Sequence, residues 1–352
     1  MRWTLADEEG PQGSLFPEED LVDRHVGIGE YRGLEFLHVR AQRIINEVPS
    51  ASHLPFHWTI NAYRGCSHAC VYCFARPTHD YLGLNIGSDF DTKLVVKVNA
   101  VEKLRAELKA KRWAGDHIAM GTNTDPYQRA EGKYHLTQGI VKVLTEAANP
   151  FSILTKSPLI LRDLDLLRKA NDVTDVRVNL SIGTLDEATW KATEPGTAHP
   201  RRRVEAVKRL VDAGIECGVL VAPIIPGMSD GEDQLAEVAT ACAEAGAASV
   251  SAISLFLKPG VREHWMDWLR SERPDLVPMY ERRYARGARL DKREQQTVSD
   301  VVRRVTAESR SGRTKVIPTG DGDIRRVARE QRLGPGRRPR EATPEYEQPR
   351  LL

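Results

Sequence analysis

Residues Phe56-His57-Trp58-Thr59-Ile60-Asn61-Ala62-Tyr63 read as a β-strand, and the chain runs straight from it into Arg64-Gly65-Cys66-Ser67-His68-Ala69-Cys70-Val71-Tyr72-Cys73-Phe74. The cysteines are spaced Cys-x3-Cys-x2-Cys, with the aromatic Tyr72 just before the third. Three thiolates on one short loop can ligate three irons of a [4Fe–4S] cube and leave the fourth iron without a protein ligand. An open metal position is where a cofactor or substrate coordinates. Gly65 allows a tight turn into the loop. A structural zinc ion completed by His68 or His79 is the competing reading. Such sites are commonly built from two separated Cys-x2-4-Cys halves, whereas Cys217 and Cys242 are single and far apart.

Outward from the cysteines the hydrophobic period alternates between two and 3.6. Val101, Leu104, Arg105 and Leu108 have helical spacing, and His117 to Gly121 is a short apolar strand. Gly139 to Ala147 is helical, Phe151 to Thr155 strand-like, and Leu159 to Leu167 Leu-rich as a helix. In the next strand Val176, Val178, Leu180 and Ile182 alternate with Arg177, Asn179 and Ser181. Val204, Val207, Leu210 and Val211 form a helix ended by Gly214, where a C-terminal cap is expected. Cys217 to Ile225 is a strand, Leu235, Val238, Ala239 and Cys242 a helical stripe before Gly246, and Ser249 to Phe256 the last strand. Six β/α units in succession imply a parallel sheet with helices on its faces. A strand buried in an open sheet is apolar on both sides, but Arg177, Asn179 and Ser181 make one side polar, as a ligand-facing lumen would be. The fold class is therefore α/β, a partial (β/α)6 TIM-like barrel with added C-terminal helices.

The motif, its place after the first strand and the six units resemble the radical S-adenosylmethionine (SAM) superfamily. More narrowly, Asn61-Ala62-Tyr63-Arg64-Gly65-Cys66 with Tyr72-Cys73-Phe74-Ala75-Arg76 is similar to the branch related to spore photoproduct lyase. The resemblance spans roughly His53 to Phe256. It implies that Cys66, Cys70 and Cys73 hold a [4Fe–4S] cluster chelating SAM at its open iron. It further implies that one-electron reduction, by a flavodoxin or ferredoxin, cleaves SAM to a 5′-deoxyadenosyl radical that abstracts hydrogen from a substrate. The branch's lyase repairs a thymine dimer in DNA and draws on a cysteine after the second strand as hydrogen donor. This chain has Gly121-Thr122-Asn123-Thr124-Asp125 there and no cysteine. The substrate stays open, and Tyr127 is the candidate donor in its place.

In α/β barrels the chemistry sits at the C-terminal ends of the strands. Gly121, Thr122 and Asn123 stand where the superfamily binds the amino group of the methionine moiety, although Asn, Thr, Asp and Pro also form turns for backbone reasons alone. Lys156 follows the third strand. Asn179 and Ser181 face inward on the fourth and could bond the ribose hydroxyls, with Arg177 deeper on the same face. Ala222 and Ile224, in Ala222-Pro223-Ile224-Ile225-Pro226-Gly227, offer an apolar edge suited to adenine, and Tyr72 completes the cofactor-binding candidates. The run Glu194-Pro195-Gly196-Thr197 to Arg201-Arg202-Arg203 reads as a solvated helix start, or as a grip on a carboxylate or phosphate. Cys217 and Cys242 read as small buried hydrophobes.

Lys and Arg total 51 against 49 Asp and Glu, so no overall basic excess marks a dedicated nucleic-acid binder. Charge is nevertheless segregated. Residues 1–30 read as a flexible leader, 31–257 as the barrel core, 258–308 as a helical extension and 309–352 as a basic flexible tail. That tail carries Arg325, Arg326, Arg329, Arg332, Arg337, Arg338 and Arg340, which are suited to nucleic acid phosphates. No apolar run reaches the roughly 20 residues that span a bilayer, and the acidic start lacks the pattern of a secretion signal. A cytoplasmic protein without a membrane partner is expected, its clustered thiols kept reduced. The alternative to an enzyme is a non-catalytic protein with a structural zinc or cysteine-rich nucleic-acid-binding site.

Overall fold

A computed structural model describes residues 21–49 and 54–311. Its main sheet has seven strands in the order β11-β10-β9-β8-β7-β4-β3. These are β3 (Ile45–Glu47), β4 (Trp58–Ile60), β7 (Ile118–Met120), β8 (Phe151–Thr155), β9 (Val176–Ser181), β10 (Glu216–Ile224) and β11 (Val250–Ser254). The six from β4 to β11 pair in parallel, as the six expected units require, and β3 adds antiparallel to β4 at the edge. The edge strands β3 and β11 stay unpaired with each other, so the barrel is incomplete.

The period of two does the sorting. On β9, Val176, Val178 and Leu180 enter the hydrophobic core, while Arg177, Asn179 and Ser181 take the other face. Outside lie the helices. Pro200–Asp212 buries Arg203, Ala206, Val207 and Leu210, spaced i, i+3, i+4, i+7. It ends where Gly214 takes φ +79°, a left-handed conformation costly for other residues.

A second sheet went unread in the sequence. Its order is β1-β2-β6-β5, formed by β1 (Leu21–Val26), β2 (Glu35–Val39), β5 (Tyr63–Arg64) and β6 (Lys93–Lys97). Two expected boundaries change with it. The flexible leader cannot extend to residue 30, because β1 begins at Leu21 and pairs along β2. The helix expected around Val101 to Leu108, Ala100–Lys109, is preceded by a short helix, Ser88–Thr92, and by β6, whose Leu94 and Val96 join the barrel core. Residues 1–20 of the expected leader and the arginine-rich tail beyond 311 lie outside the described residues.

The C-terminal extension divides in two. The helix Lys292–Ser311 packs on β11 and on the helix Glu232–Glu244, closing that side of the sheet. The helices Val261–Glu272 and Val277–Arg283 bring Trp265, Leu269 and Tyr280 into one apolar cluster with Cys70 and Tyr72. The extension thus supports the cysteine loop directly.

Candidate active site

The C-terminal ends of the parallel strands open into one cavity, and Cys66, Cys70 and Cys73 line one wall of it. Backbone and side-chain bonds fix that loop from several directions. The amide of Cys66 donates to Phe90 O (2.9 Å) and that of Val71 to Thr193 O (3.1 Å). Gln128, fully buried, accepts from the Ser67 amide (2.9 Å) and donates to Gly65 O (3.0 Å). Arg76 reaches Cys70 O through Nε (3.1 Å) and Nη2 (2.9 Å), and its guanidinium pairs with Asp91. Gly196 packs so closely that a Cβ there would collide with the carbonyl of Ser67.

All five cysteines among the described residues are free thiols. Burial pushes the thiols of Cys66, Cys70 and Cys73 up, with Asp125 adding to the effect at Cys66 and Glu194 at Cys70. They are therefore neutral at ordinary pH until a cation draws the proton away. A single tetrahedral zinc ion needs sulfur ligands about 3.8 Å apart. Among the described residues only Asp23, His25 and His38, on β1 and β2, bring three ligand atoms mutually within 4.8 Å. The three cysteines with His68 or His79 do not form such a group.

Facing the cysteines, Gly121 takes φ +90°, and a Cβ there would strike the carbonyl of Leu154. Asn61 holds this turn: Nδ2 donates to Thr122 Oγ1 (3.1 Å) and Oδ1 accepts from the Asn123 amide (3.1 Å). Asp125 lies beneath, accepting from Thr155 Oγ1 (2.6 Å) and the Lys156 amide (2.7 Å), with His68 Nδ1 at 3.4 Å. Burial would raise the Asp125 pKa, but His68 and these donors outweigh it and hold the group below its ordinary value.

Lys156 enters from the third strand. Its Nζ donates to Ser181 Oγ (2.6 Å) and Ala222 O (3.2 Å) and stands 3.4 Å from Glu194 Oε1. Glu194 also accepts from the Tyr72 hydroxyl and pairs with Arg203 at 2.5 Å. Burial raises the Glu194 pKa, yet Arg203 and Lys156 with their hydrogen-bonded neighbours bring it down to about 2. The Arg201-Arg202-Arg203 run is thus partly internal: Arg203 is spent on Glu194, and Arg201 pairs with Glu237 at 2.8 Å.

The structure brings Tyr72, Gly121, Thr122, Asn123, Lys156, Ser181 and Ala222 to the cavity with the three cysteines. Three expected residues do not reach it. Asn179 shares the face of Ser181 but lies one layer down, its Oδ1 against the space beside Gly218. Ile224 is 1% exposed and faces the core, since alternation points Ala222 inward and Ile224 lies past the strand's bend. Tyr127 is also 1% exposed, packed in the core beneath Arg162, with no hydrogen-bond partner for its hydroxyl. It cannot meet a substrate in the cavity. Cys217 and Cys242 are buried in the same core, their thiols pushed up to about 12 by burial. The sequence reading named His68 only as a ligand for zinc and did not name Asp125 or Glu194 as site residues. All three stood inside stretches already singled out, but no local pattern pointed to Glu194 as a buried carboxylate.

The model of the Radical SAM superfamily matches residues 60–239. An uncharacterized protein of Mycobacterium tuberculosis is 43% identical over 76% of this chain and 78% of its own length. An uncharacterized protein of Methanocaldococcus jannaschii is 33% identical over 56% of this chain and 71% of its own. The Radical SAM Nalpha-GlyT isomerase of Pseudomonas phage M6 is 24% identical over 48% of this chain and 33% of its own. Among solved structures, a spore photoproduct lyase variant with bound AdoMet and dinucleoside spore photoproduct superposes with a TM-score of 0.58 at 19% identity, over 77% of this chain and 78% of that one. At that identity the likeness shows the fold.

Proposed function

The chain belongs to the radical SAM superfamily, and from that premise we propose that Cys66, Cys70 and Cys73 ligate its cluster and that the cavity beside them binds SAM and the substrate carbon. A [4Fe–4S] cluster and SAM are the cofactors of this enzyme. When bound, the reduced cluster would supply the one electron needed to split SAM into methionine and a 5′-deoxyadenosyl radical able to abstract hydrogen. The observation that carries the reading is the convergence of the three cysteines with the turn 121–123 and Lys156 on one cavity at the strand ends.

The chain's own residues then bind and position. The turn held by Asn61 presents polar groups to the amino group of SAM, and Lys156 offers a positive charge to its carboxylate. Ser181 suits the ribose, and Leu220, Ala222 and Pro223 provide an apolar wall for adenine. Tyr72, Glu194 and Arg203 orient Lys156 from behind. The helices 261–283 exclude water from the rear of the cysteine loop.

The substrate class in this reading is a base within a nucleic acid strand. Phe74, half exposed, and Phe256, with Arg289 over its ring at 4.4 Å, stand at the mouth, where aromatic faces stack bases. The lyase of the solved complexes holds a dinucleoside photoproduct in a similar fold. The reductant is a one-electron protein donor such as flavodoxin or ferredoxin. Among the described residues no helix is long and apolar enough to cross a membrane.

Anaerobic reconstitution followed by dithionite and SAM tests the chemistry. Four irons per chain and 5′-deoxyadenosine, both lost in Cys70→Ala, are expected. Stoichiometric zinc without cofactor cleavage would instead establish the structural-metal alternative. Deuterium passing from labelled oligonucleotide into 5′-deoxyadenosine tests the substrate class, and unlabelled product throughout would remove nucleic acid from it.

A further inference from the structure

We infer that the outer face of the four-stranded sheet carries a second ligand site, built from Arg40, Arg43, Arg64 and Lys97, for a phosphate-bearing molecule. It goes beyond the radical chemistry and does not depend on it.

The alternation of β5 and β6 creates the site. Tyr63, Leu94 and Val96 point into the barrel core. Arg64, Val95 and Lys97 must therefore take the opposite face. There Leu37, Val39, Leu82 and Val95 form a small apolar floor of their own. Between this floor and the segment 40–47 lies a cavity of about 460 Å³, lined by all four cationic residues.

Among the described residues no carboxylate comes within ion-pair distance of these four groups. None of the four cations takes part in an ion pair within 4.0 Å, although the sheet's other charged groups, such as Arg24 with Glu35 and Lys93 with Asp89, are paired. The Lys97 ammonium donates to Asn61 O at 2.8 Å, a neutral partner. Two carboxylates stand nearby. Glu107 accepts from the amides of Ile44 (3.0 Å) and Ile45 (2.9 Å), which hold its carboxylate beyond ion-pair distance of Lys97, and the exposed Glu47 lines the same cavity. Burial and the adjacent Arg64 push the Lys97 pKa down to about 7, against the upward pull of the Glu107 carboxylate.

A charge withdrawn from water is unfavourable unless paired, and two neighbouring like charges compound the cost. A phosphate relieves it better than a carboxylate does. It carries up to two charges, accepts a guanidinium fork in bidentate fashion and takes an ammonium as a point contact. The exposed Arg40 and Arg43 stand where they could meet such a ligand on entry. Either a small phosphorylated compound or the phosphodiester of a nucleic acid strand supplies this chemistry.

The test is acetylation of Lys97 in the intact full-length protein with acetic anhydride, read by peptide mass spectrometry. Pyrophosphate and a short oligothymidylate serve as separate probes. With a probe at about ten times its Kd, Lys97 labelling is expected to fall roughly tenfold, while the exposed Lys208 is unaffected. Protection by pyrophosphate identifies a small phosphorylated ligand, and protection by the oligonucleotide alone identifies a strand. The variant Arg40→Gln/Arg43→Gln, altered only at exposed positions, should require several times more probe for the same protection. Lys97 labelling unchanged by both probes, or protection identical in the variant, overturns the site.

Discussion

The Arg76 guanidinium grips the backbone carbonyl of Cys70 with two N–H groups, at 3.1 and 2.9 Å, from a position 1% exposed. A side chain six residues downstream thereby sets the orientation of the middle cysteine, and Asp91 balances its charge. Lysine cannot reproduce this fork, because its ammonium lacks the planar donor pair. Arg76→Lys should lower iron per chain severalfold at an unchanged far-ultraviolet spectrum. Full iron content in that variant would mean the grip is incidental to cluster binding.

Cysteine position should separate ligands from fillers. Cys66→Ala and Cys73→Ala are expected to abolish 5′-deoxyadenosine formation. Cys217→Ala and Cys242→Ala should retain it, losing about 1 kcal/mol of stability through small cavities. Assay of cofactor cleavage beside urea unfolding checks both halves.

Asn61 tests the cofactor turn. Removing its two bonds to Thr122 and Asn123 should loosen the turn by about 1.5 kcal/mol, equivalent to roughly tenfold weaker SAM binding. Iron content should not change in Asn61→Ala. Equilibrium dialysis with labelled SAM gives the answer, and unaltered affinity would show that the turn holds itself.

The Glu194 carboxylate makes a pH-dependent contribution. Its pKa falls from 4.5 in the unfolded chain to about 2 in the folded one. The stabilisation is thus complete above pH 4.5 and is lost as pH drops toward 2. Glu194→Gln should cost on the order of 3 kcal/mol at neutral pH, because it leaves Arg203 buried without a counter-charge. The gap between variant and parent should close in acid, and urea unfolding at pH 7 and pH 3 measures it. A gap independent of pH would place the cost in packing.

Tyr127→Phe should keep full activity and alter stability by no more than about 1 kcal/mol, since the hydroxyl is buried without a partner. Loss of substrate turnover with SAM cleavage intact would restore this tyrosine as a hydrogen donor.

Local pattern alone determined much of this protein. Six strands alternating with helices follow from periods of two and 3.6, and the Cys-x3-Cys-x2-Cys loop carries its chemistry within eight residues. Such features depend on neighbours in sequence, so they are legible there. What the tertiary structure decided depends on residues far apart in the chain. Tyr72 meets Glu194 across 122 positions, and the helices after Val261 lie against Cys70. Depth was equally hidden. Alternation told that Asn179 and Ser181 share a face, but only the packing of β9 and β10 shows that Ser181 reaches the cavity and Asn179 stops a layer below. The accessory sheet escaped notice because its strands are two to six residues long and come from both sides of the cysteine loop, so pairing rather than local pattern defines them.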